Sequence, residues 1–335
     1  MKSSINNFNM CVRRWTALLS KSYGVDLEPH VLIISSAIVI AVFQLILYVS
    51  FCSQTIYCQL PNLRSIYQAK SSAQDYEKLP TIYVVTPTYA RYVQKAELIK
   101  LSHTFMLVPN LHWIIVEDSD WRTDMVSKLV RRLKNEFDFH RITHLQQPTP
   151  EKFKLKPGDP DWKYPKGVWQ RNRALEWLRD NFIDLDRDGV VYFADDDNTY
   201  DLEVFKEMRY TRRVSVWPVG FVGGMLVERP LLDQGDMVTS FNSMWRKDRP
   251  FPMDMAGFAI NLLSIISHSN ATFSESEPIG FIESHFLKQF VKSWADLEPK
   301  ADKCTKILVW HTKTQNPTLH EEKKLKRPSH EGLEW

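Results

Sequence analysis

Apolar positions along this chain follow two regimes. From Val31 to Cys52 (VLIISSAIVIAVFQLILYVSFC) they are almost continuous, with only Ser35, Ser36, Gln44 and Ser50 clearly polar. No Asp, Glu, Lys or Arg occurs between Pro29 and Asn62. At about 1.5 Å of rise per residue, these 22 residues span the hydrocarbon core of a bilayer. The run is longer than the apolar region of a cleaved signal peptide. It predicts one transmembrane helix over 31–52.

Beyond residue 80 the apolar runs become short. Thr81–Thr86 is β-branched and aromatic and is stopped by Pro87; Leu111–Val116 has the same character and ends in Glu117-Asp118. Both read as strands buried on two faces. Val93–Phe105 between them is helical in pattern, which makes a βαβ unit with parallel strands and a right-handed crossover. Further helices are predicted at about Asp124–Phe137 and over Trp169–Arg179, and further strands over Gly189–Ala194 and Lys306–Trp310. The fold class is α/β, with a mixed, mostly parallel sheet preceded by the membrane helix. Residues 53–79 show no sustained periodicity and read as a stem.

Charge sharpens this layout. The chain of 335 residues is 25% charged and 44% apolar, which excludes a disordered chain or a fibre. Its net charge of +3 is unevenly placed. Residues 1–30 hold Lys2, Arg13, Arg14 and Lys21 against two acids, and the stem holds three bases against two acids. That leaves 36 of each sign for 80–335, so a polyanion is not what this region attracts as a whole. The first base after the apolar run is Arg64, so the positive-inside rule puts the tail in the cytosol and the bulk across the membrane. The expected domains are a tail (1–30), an anchor (31–52), a lumenal stem (53–79) and a lumenal domain (80–335). Cys11, Cys52, Cys58 and Cys304 match no metal spacing. Cys58, in an oxidising compartment, either bridges two chains or stays a free thiol. Asn270-Ala271-Thr272 is a glycan acceptor sequon on the lumenal side.

The strand Gly189–Ala194 runs straight into Asp195-Asp196-Asp197-Asn198. Adjacent carboxylates repel, so a folded chain needs a reason to gather them. Ligands of open α/β sheets bind beyond the carboxyl ends of the strands, and a hard cation bridging to a diphosphate would neutralise the cluster. A solvated acidic turn is the alternative. With the lumenal topology and 11 Trp residues, the triplet points to a nucleotide-sugar glycosyltransferase.

Longer segments carry a closer match. PTIYVVTPTYARYVQKAEL (80–98), LHWIIVEDS (111–119), QRNRALEWLR (170–179), VYFADDDNTYDLEVFKEMR (191–209), PMDMAGFAINL (252–262) and LEPKADKCTKILVWHTKTQNP (297–317) resemble the β-1,3-glucuronosyltransferases, glycosyltransferase family 43. The resemblance implies a GT-A type fold, a UDP-glucuronate donor, Mn2+, and inverting transfer to a terminal galactose from a type II Golgi membrane protein that is a homodimer. It implies a donor site of Pro87, Thr88, Tyr89, Asp118, Lys166, Arg171, Asp195, Asp196, Asp197, His311, Thr312 and Lys313, with Asp197 on the metal. Tyr89 would stack on uracil, Asp118 would accept from the uracil edge, and Arg171 suits a carboxylate or phosphate. Glu283 matches the catalytic base; from the residues alone it is an ordinary acid at a helix start. Glu228, Trp245, Arg249 and Asp254 match the acceptor site. Three positions depart from the family pattern. Lys166 and Lys313 stand where arginines are usual, and Lys303 replaces the asparagine of an Asn-Cys-Thr sequon. The implied acceptor is the galactosyl-galactosyl-xylosyl linker of proteoglycans. N-acetyllactosamine termini are the alternative, and an inactive sugar-binding or chaperoning homologue is the alternative of another class.

Overall fold

Why the first strand forms is visible in how its side chains divide. The computed structural model describes residues 79–160, 163–184 and 188–333, with Gln44 alone before them. In β1 (Ile82–Thr88), Ile82 and Val84 enter one apolar core while Tyr83 and Val85 enter another, so the period-two pattern is buried on both faces. The remaining strands are β2 (Leu111–Glu117), β3 (Ile142–Gln146), β4 (Val190–Phe193), β5 (Thr199–Tyr200), β6 (Val214–Val216), β7 (Val219–Gly220), β8 (Val227–Leu232), β9 (Val238–Asn242), β10 (Phe258–Asn261), β11 (Glu298–Pro299) and β12 (Val309–Trp310).

The main sheet has the order β11-β6-β10-β4-β1-β2-β3. Strands β4, β1, β2 and β3 run parallel, as do β6 and β11, and β10 is antiparallel to both its neighbours. The expected mixed, mostly parallel sheet is therefore present. Helices α1 (Gln94–Phe105) and α2 (Asp124–Glu136) supply Leu98, Phe105, Val126 and Leu133 to one core. The other face is covered by α3 (Val168–Asp180), and by Ile265 and Phe286 from α5 (Leu262–Ser267) and α6 (Ile282–Lys288); α4 (Leu202–Met208) lies between β5 and β6 in the chain. Trp113 and Trp217 are wholly buried, and Trp113 Nε1 donates to Thr86 Oγ1 at 2.9 Å. Burial with a partner for the indole N–H accounts for these tryptophans as core.

Three sequence expectations shift. Pro87 does not stop β1: it sits in register with Val116 of β2, while β4 leaves β1 at Val85, so the missing N–H removes no ladder bond. The strand expected from Lys306 reduces to Val309–Trp310. A second sheet, β5-β12-β7-β8-β9, was not anticipated, because three of its strands are only two residues long and have no period to read. The tail, the anchor over 31–52, and the stem with Cys58 lie outside the described residues. Among the described residues no helix is long and apolar enough to cross a membrane.

Ahead of β12 the backbone takes a left-handed turn. Ala301, Asp302, Lys303 and Cys304 all have positive φ, between 52° and 60°. Lys303, the residue standing where the family has asparagine, pairs with Asp236 at 2.8 Å. Left-handed conformation costs an L-residue about 1–2 kcal/mol. Asp302 is exposed and its side chain makes no hydrogen bond among the described residues. Asp302→Gly should therefore raise the unfolding free energy by about 0.5–1 kcal/mol after the entropy that glycine adds to the unfolded chain. Urea denaturation checks this, and a loss of stability would show that the Asp302 side chain matters more than its backbone angle.

Candidate active site

The carboxyl ends of β1 and β4 lie side by side, and the loops that leave these two strands meet there. After β4 come Asp195, Asp196 and Asp197, and each is handled differently. Asp196 is buried: Thr88 Oγ1 donates to one oxygen at 2.7 Å and Arg91 to the other at 2.6 Å. Burial pushes its carboxyl up, and Arg91 opposes this. Asp195 accepts from Arg171 at 2.6 Å, while Tyr200 donates to its backbone carbonyl at 2.8 Å. Asp197 takes no side-chain partner. Its carboxylate accepts no hydrogen bond among the described residues, and only its carbonyl does, from Thr312 Oγ1 at 2.5 Å and Lys100 Nζ at 3.5 Å. Burial, then the charges of Asp195 and Asp196, push Asp197 up to about 6.

A carboxylate left without a donor, in a field made more negative by its neighbours, fits a hard divalent cation. Among the described residues no three His, Cys, Asp or Glu side chains converge as a metal cage. A cation on Asp197 would need its other ligands from a bound diphosphate and water.

Arg171 reaches Asp195 because of the residue that starts its helix. Gly167 caps α3 with φ of 72°, and a Cβ there would lie 2.6 Å from Arg171 Nη1 and 3.3 Å from Pro87 Cγ. Glycine thus satisfies both the left-handed angle and the close approach. Arg171 Nη1 donates to the backbone carbonyl of Lys166 at 2.8 Å, whereas the Lys166 side chain is exposed. Tyr89 is 51% exposed, with the Arg91 guanidinium 4.6 Å above its ring. Both Asp118 oxygens accept from Thr149, at 2.6 Å from its N–H and 2.7 Å from its hydroxyl.

Two cavities adjoin along one turn. The first, about 440 Å³, is lined by His311, Lys313 and the turn Phe221–Gly224. The second, about 420 Å³, shares Val222–Gly224 and holds Glu283, Glu228, Trp245, Arg249 and Asp254 together. Every residue expected at the acceptor therefore lines one cavity with the expected base. Between the two stands Asp254. One of its oxygens lies 3.2 Å from His311 Nδ1, and the other accepts from Ala256 N–H at 2.9 Å. That contact with Asp254 lifts His311 to about 9. Burial pushes Asp254 up, but His311, the Ala256 N–H and Arg171 outweigh it and hold the carboxyl low.

Glu283 sits in the first turn of α6, with Oε2 buried and without a hydrogen-bond partner among the described residues. Burial, then the Asp254 charge, lifts it to about 7. A half-buried carboxylate with one oxygen unpartnered, lifted towards neutrality, is suited to taking a proton. The wall around it is braced from inside. Arg249, 5% exposed, donates to the carbonyls of Trp245 (3.1 Å) and Met253 (3.3 Å) and to Ser243 Oγ (3.0 Å), and lies 5.1 Å from the Trp245 ring. Ser243 donates to Glu228, itself 3% exposed, at 2.5 Å. Trp245 remains 42% exposed, and Gly280 passes so close that a Cβ would lie 2.1 Å from its ring.

Sequence reasoning missed Arg91, Gln94, Ser243 and Gly280. Arg91, three residues beyond β1 and opposite an acidic triplet, carried a readable signal. For Gly280 no local signal exists, because its constraint comes from a ring 35 positions away.

The model of glycosyltransferase family 43 matches residues 101–315. Galactosylgalactosylxylosylprotein 3-beta-glucuronosyltransferase 3 of Homo sapiens is 48% identical over 274 residues, covering 79% of this chain and 80% of that protein. Galactosylgalactosylxylosylprotein 3-beta-glucuronosyltransferase I of Drosophila melanogaster is 52% identical over 252 residues, covering 74% and 81%. Galactosylgalactosylxylosylprotein 3-beta-glucuronosyltransferase 1 of Homo sapiens is 50% identical over 250 residues, covering 74% and 73%.

The raised Glu283 predicts a pH-dependent stability. Its ordinary value is 4.5 and its folded value about 7, so the folded state binds this proton more tightly. Stability is therefore lost as pH rises from about 4.5 through 7. Glu283→Gln removes that loss. The variant should exceed the wild type by on the order of 2 kcal/mol at pH 8, with the gap closing towards pH 4.5. Urea unfolding at both pH values measures it, and an equal gap at the two would rule out Glu283 as the source.

Proposed function

The chain belongs to glycosyltransferase family 43, and we propose that it is an inverting β-1,3-glucuronosyltransferase that completes the galactosyl-galactosyl-xylosyl linker of proteoglycans. The donor is UDP-glucuronate, and the acceptor is the 3-hydroxyl of the terminal galactose. The observation that carries this reading is the pair of adjoining cavities, with Glu283, whose Oε2 has no hydrogen-bond partner among the described residues, on one side and the cations His311 and Lys313 on the other. The names of relatives about half identical over most of the chain supply the linker.

Each part of the reaction falls to particular side chains. Trp245 offers an apolar face to the galactose ring, and Asp254 and Glu228 accept from its hydroxyls. Glu283 takes the proton of the attacking 3-hydroxyl as that oxygen bonds to the anomeric carbon of glucuronate. The bond from that carbon to the diphosphate oxygen breaks on the opposite face, the configuration inverts, and UDP leaves with the electron pair. His311 and Lys313 balance the charge that develops on the diphosphate, which is where preorganised cations lower a barrier most. Arg171 favours the anionic donor. Tyr89 and Asp118 take the uracil, with Pro87 and Thr88 shaping the strand end behind them. Asp197 would hold Mn2+, which supplies Lewis acidity to the leaving diphosphate when bound.

The domain is of GT-A type and stands in the Golgi lumen on a type II anchor, as a homodimer that Cys58 bridges. In that setting Asn270, exposed in a turn after α5, carries a glycan. Loss of a mobility shift on endoglycosidase treatment in Asn270→Gln, with the shift present in the wild type, tests the topology.

Transfer is tested with the purified protein, Mn2+ and UDP-glucuronate against galactosyl-galactose and N-acetyllactosamine acceptors. The expected result is faster turnover on galactosyl-galactose. Preference for N-acetyllactosamine would move the acceptor, and no turnover by folded protein on any galactoside would remove the enzyme reading. Glu283→Gln should keep UDP binding and lose transfer by at least about 100-fold. Asp197→Ala should abolish Mn2+-dependent UDP binding in calorimetry.

A further inference from the structure

Three polar side chains on α1 have no part in the transfer chemistry. Gln94, Glu97 and Lys100 are three residues apart, so they share one face of the helix. All three meet the loops of the donor site. Gln94 Nε2 donates to Thr88 Oγ1 at 3.1 Å, and Thr88 in turn holds Asp196. Lys100 reaches the Asp197 carbonyl and pairs with Glu97. Glu97 is only 4% exposed, and its other oxygen accepts the hydroxyl of Thr314, from the far end of the chain.

Thr314 ends the stretch His311-Thr312-Lys313-Thr314, which belongs to no helix or strand. The His311 N–H donates to the Gly220 carbonyl and the Thr312 N–H to the Trp310 carbonyl. From Lys313 to Pro317 no backbone hydrogen bond is made among the described residues. Side chains hold this stretch at His311, on Asp254, at Thr312, on the Asp197 carbonyl and Thr199, and at Thr314, on Glu97; from Lys313 to Pro317 the Glu97 contact is the one tether among the described residues. A carboxylate this buried, holding the end of a stretch that has no other anchor between Lys313 and Pro317 among the described residues, does more than stabilise its own helix.

We propose that Glu97 is a positioning residue: by holding Thr314 it pins the Lys313–Thr314 end of this stretch beside Asp197, so that Lys313 faces a nucleoside diphosphate alongside the Asp254-held His311 without first being ordered by it. The proposal rests on the reading of the His311 cavity as the diphosphate site. Released from Glu97, the stretch would have to be ordered at binding, and affinity for the diphosphate would fall by that cost.

The test uses the full-length protein in detergent. Thr314→Val keeps the shape of an exposed side chain and removes its donor, Thr314→Ser restores the donor, and Glu97→Gln keeps an acceptor where Glu97→Leu removes it. UDP binding with Mn2+ is measured by calorimetry, amide hydrogen exchange is followed over 311–316, and acceptor KM is measured at saturating donor. Thr314→Val and Glu97→Leu should each weaken UDP five- to tenfold and speed exchange over 311–316, with acceptor KM unchanged. Thr314→Ser and Glu97→Gln should stay within twofold of wild type. The double variant Thr314→Val/Glu97→Leu should be no weaker than Glu97→Leu alone, as expected for one shared contact. UDP affinity within twofold of wild type in Thr314→Val, failure of Ser to rescue, or additive losses would overturn the proposal. Failure of the wild type to bind UDP would overturn the functional reading instead, and the exchange comparison would still support or overturn the pin.

Discussion

Three consecutive carboxylates at the end of a buried strand must be kept apart energetically while being held together in space. The chain solves this by giving each a different fate. Asp195 is matched by Arg171 and Asp196 by Arg91 and Thr88, so two negative charges have short, directed partners. Charged hydrogen bonds of this kind offset the loss of hydration that burial brings. Asp197 alone is left without one, and its raised value records the resulting field. Much of the surrounding backbone depends on that division. Gly167 has no Cβ so that Arg171 can pass, the turn after β1 brings Arg91 over Asp196, and α1 turns a polar face to the same loops. An acidic cluster with all three members neutralised by protein would have nothing to offer a cation.

Asp254 connects this arrangement to the second cavity. Its charge is stabilised on one side by His311 and felt on the other by Glu283. The same carboxylate thus keeps His311 protonated and, added to the larger effect of burial, raises the proton affinity of Glu283, which suits the cation and the base of the proposed reaction. One residue pushes two others in the directions their roles need. The separation of the two cavities by a single glycine-containing turn is what allows one charge to serve both.

The main sheet was legible because its central strands are buried on both faces and therefore read as unbroken apolar runs, as in Val190–Phe193. The helices α2 and α3 were legible from their period, and the acidic triplet from its place after β4. The second sheet was not, since strands of two residues have no period. Nor was the acceptor wall: Glu283, Arg249 and Ser243 lie in segments without a local signature, and their convergence depends on chain reversals around Gly280 and Arg246 with positive φ. Resemblance to a family supplied Glu283 and Arg249, and nothing in the chain pointed to Ser243. Even the left-handed turn at Ala301–Cys304 contains no glycine to announce it.

The lysines that depart from the family pattern fall where the fold asks little of the side chain. At Lys166 it is the backbone carbonyl that receives Arg171, and the side chain is exposed, so exchanging an arginine fork for an ammonium leaves that contact untouched. Lys303 pairs with Asp236, so the position where the resemblance leads one to expect a sequon asparagine carries a surface ion pair here. Lys313 lines the cavity beside His311, the proposed donor site, and does lose the fork. It keeps a point charge, and beside it His311 is held cationic by Asp254 rather than by solvent pH. The His311–Asp254 pair is neutral as a whole, so the net positive charge at this cavity is that of Lys313, and in the proposed reaction an ammonium supplies the same charge to the diphosphate as an arginine would, without its two-pronged geometry.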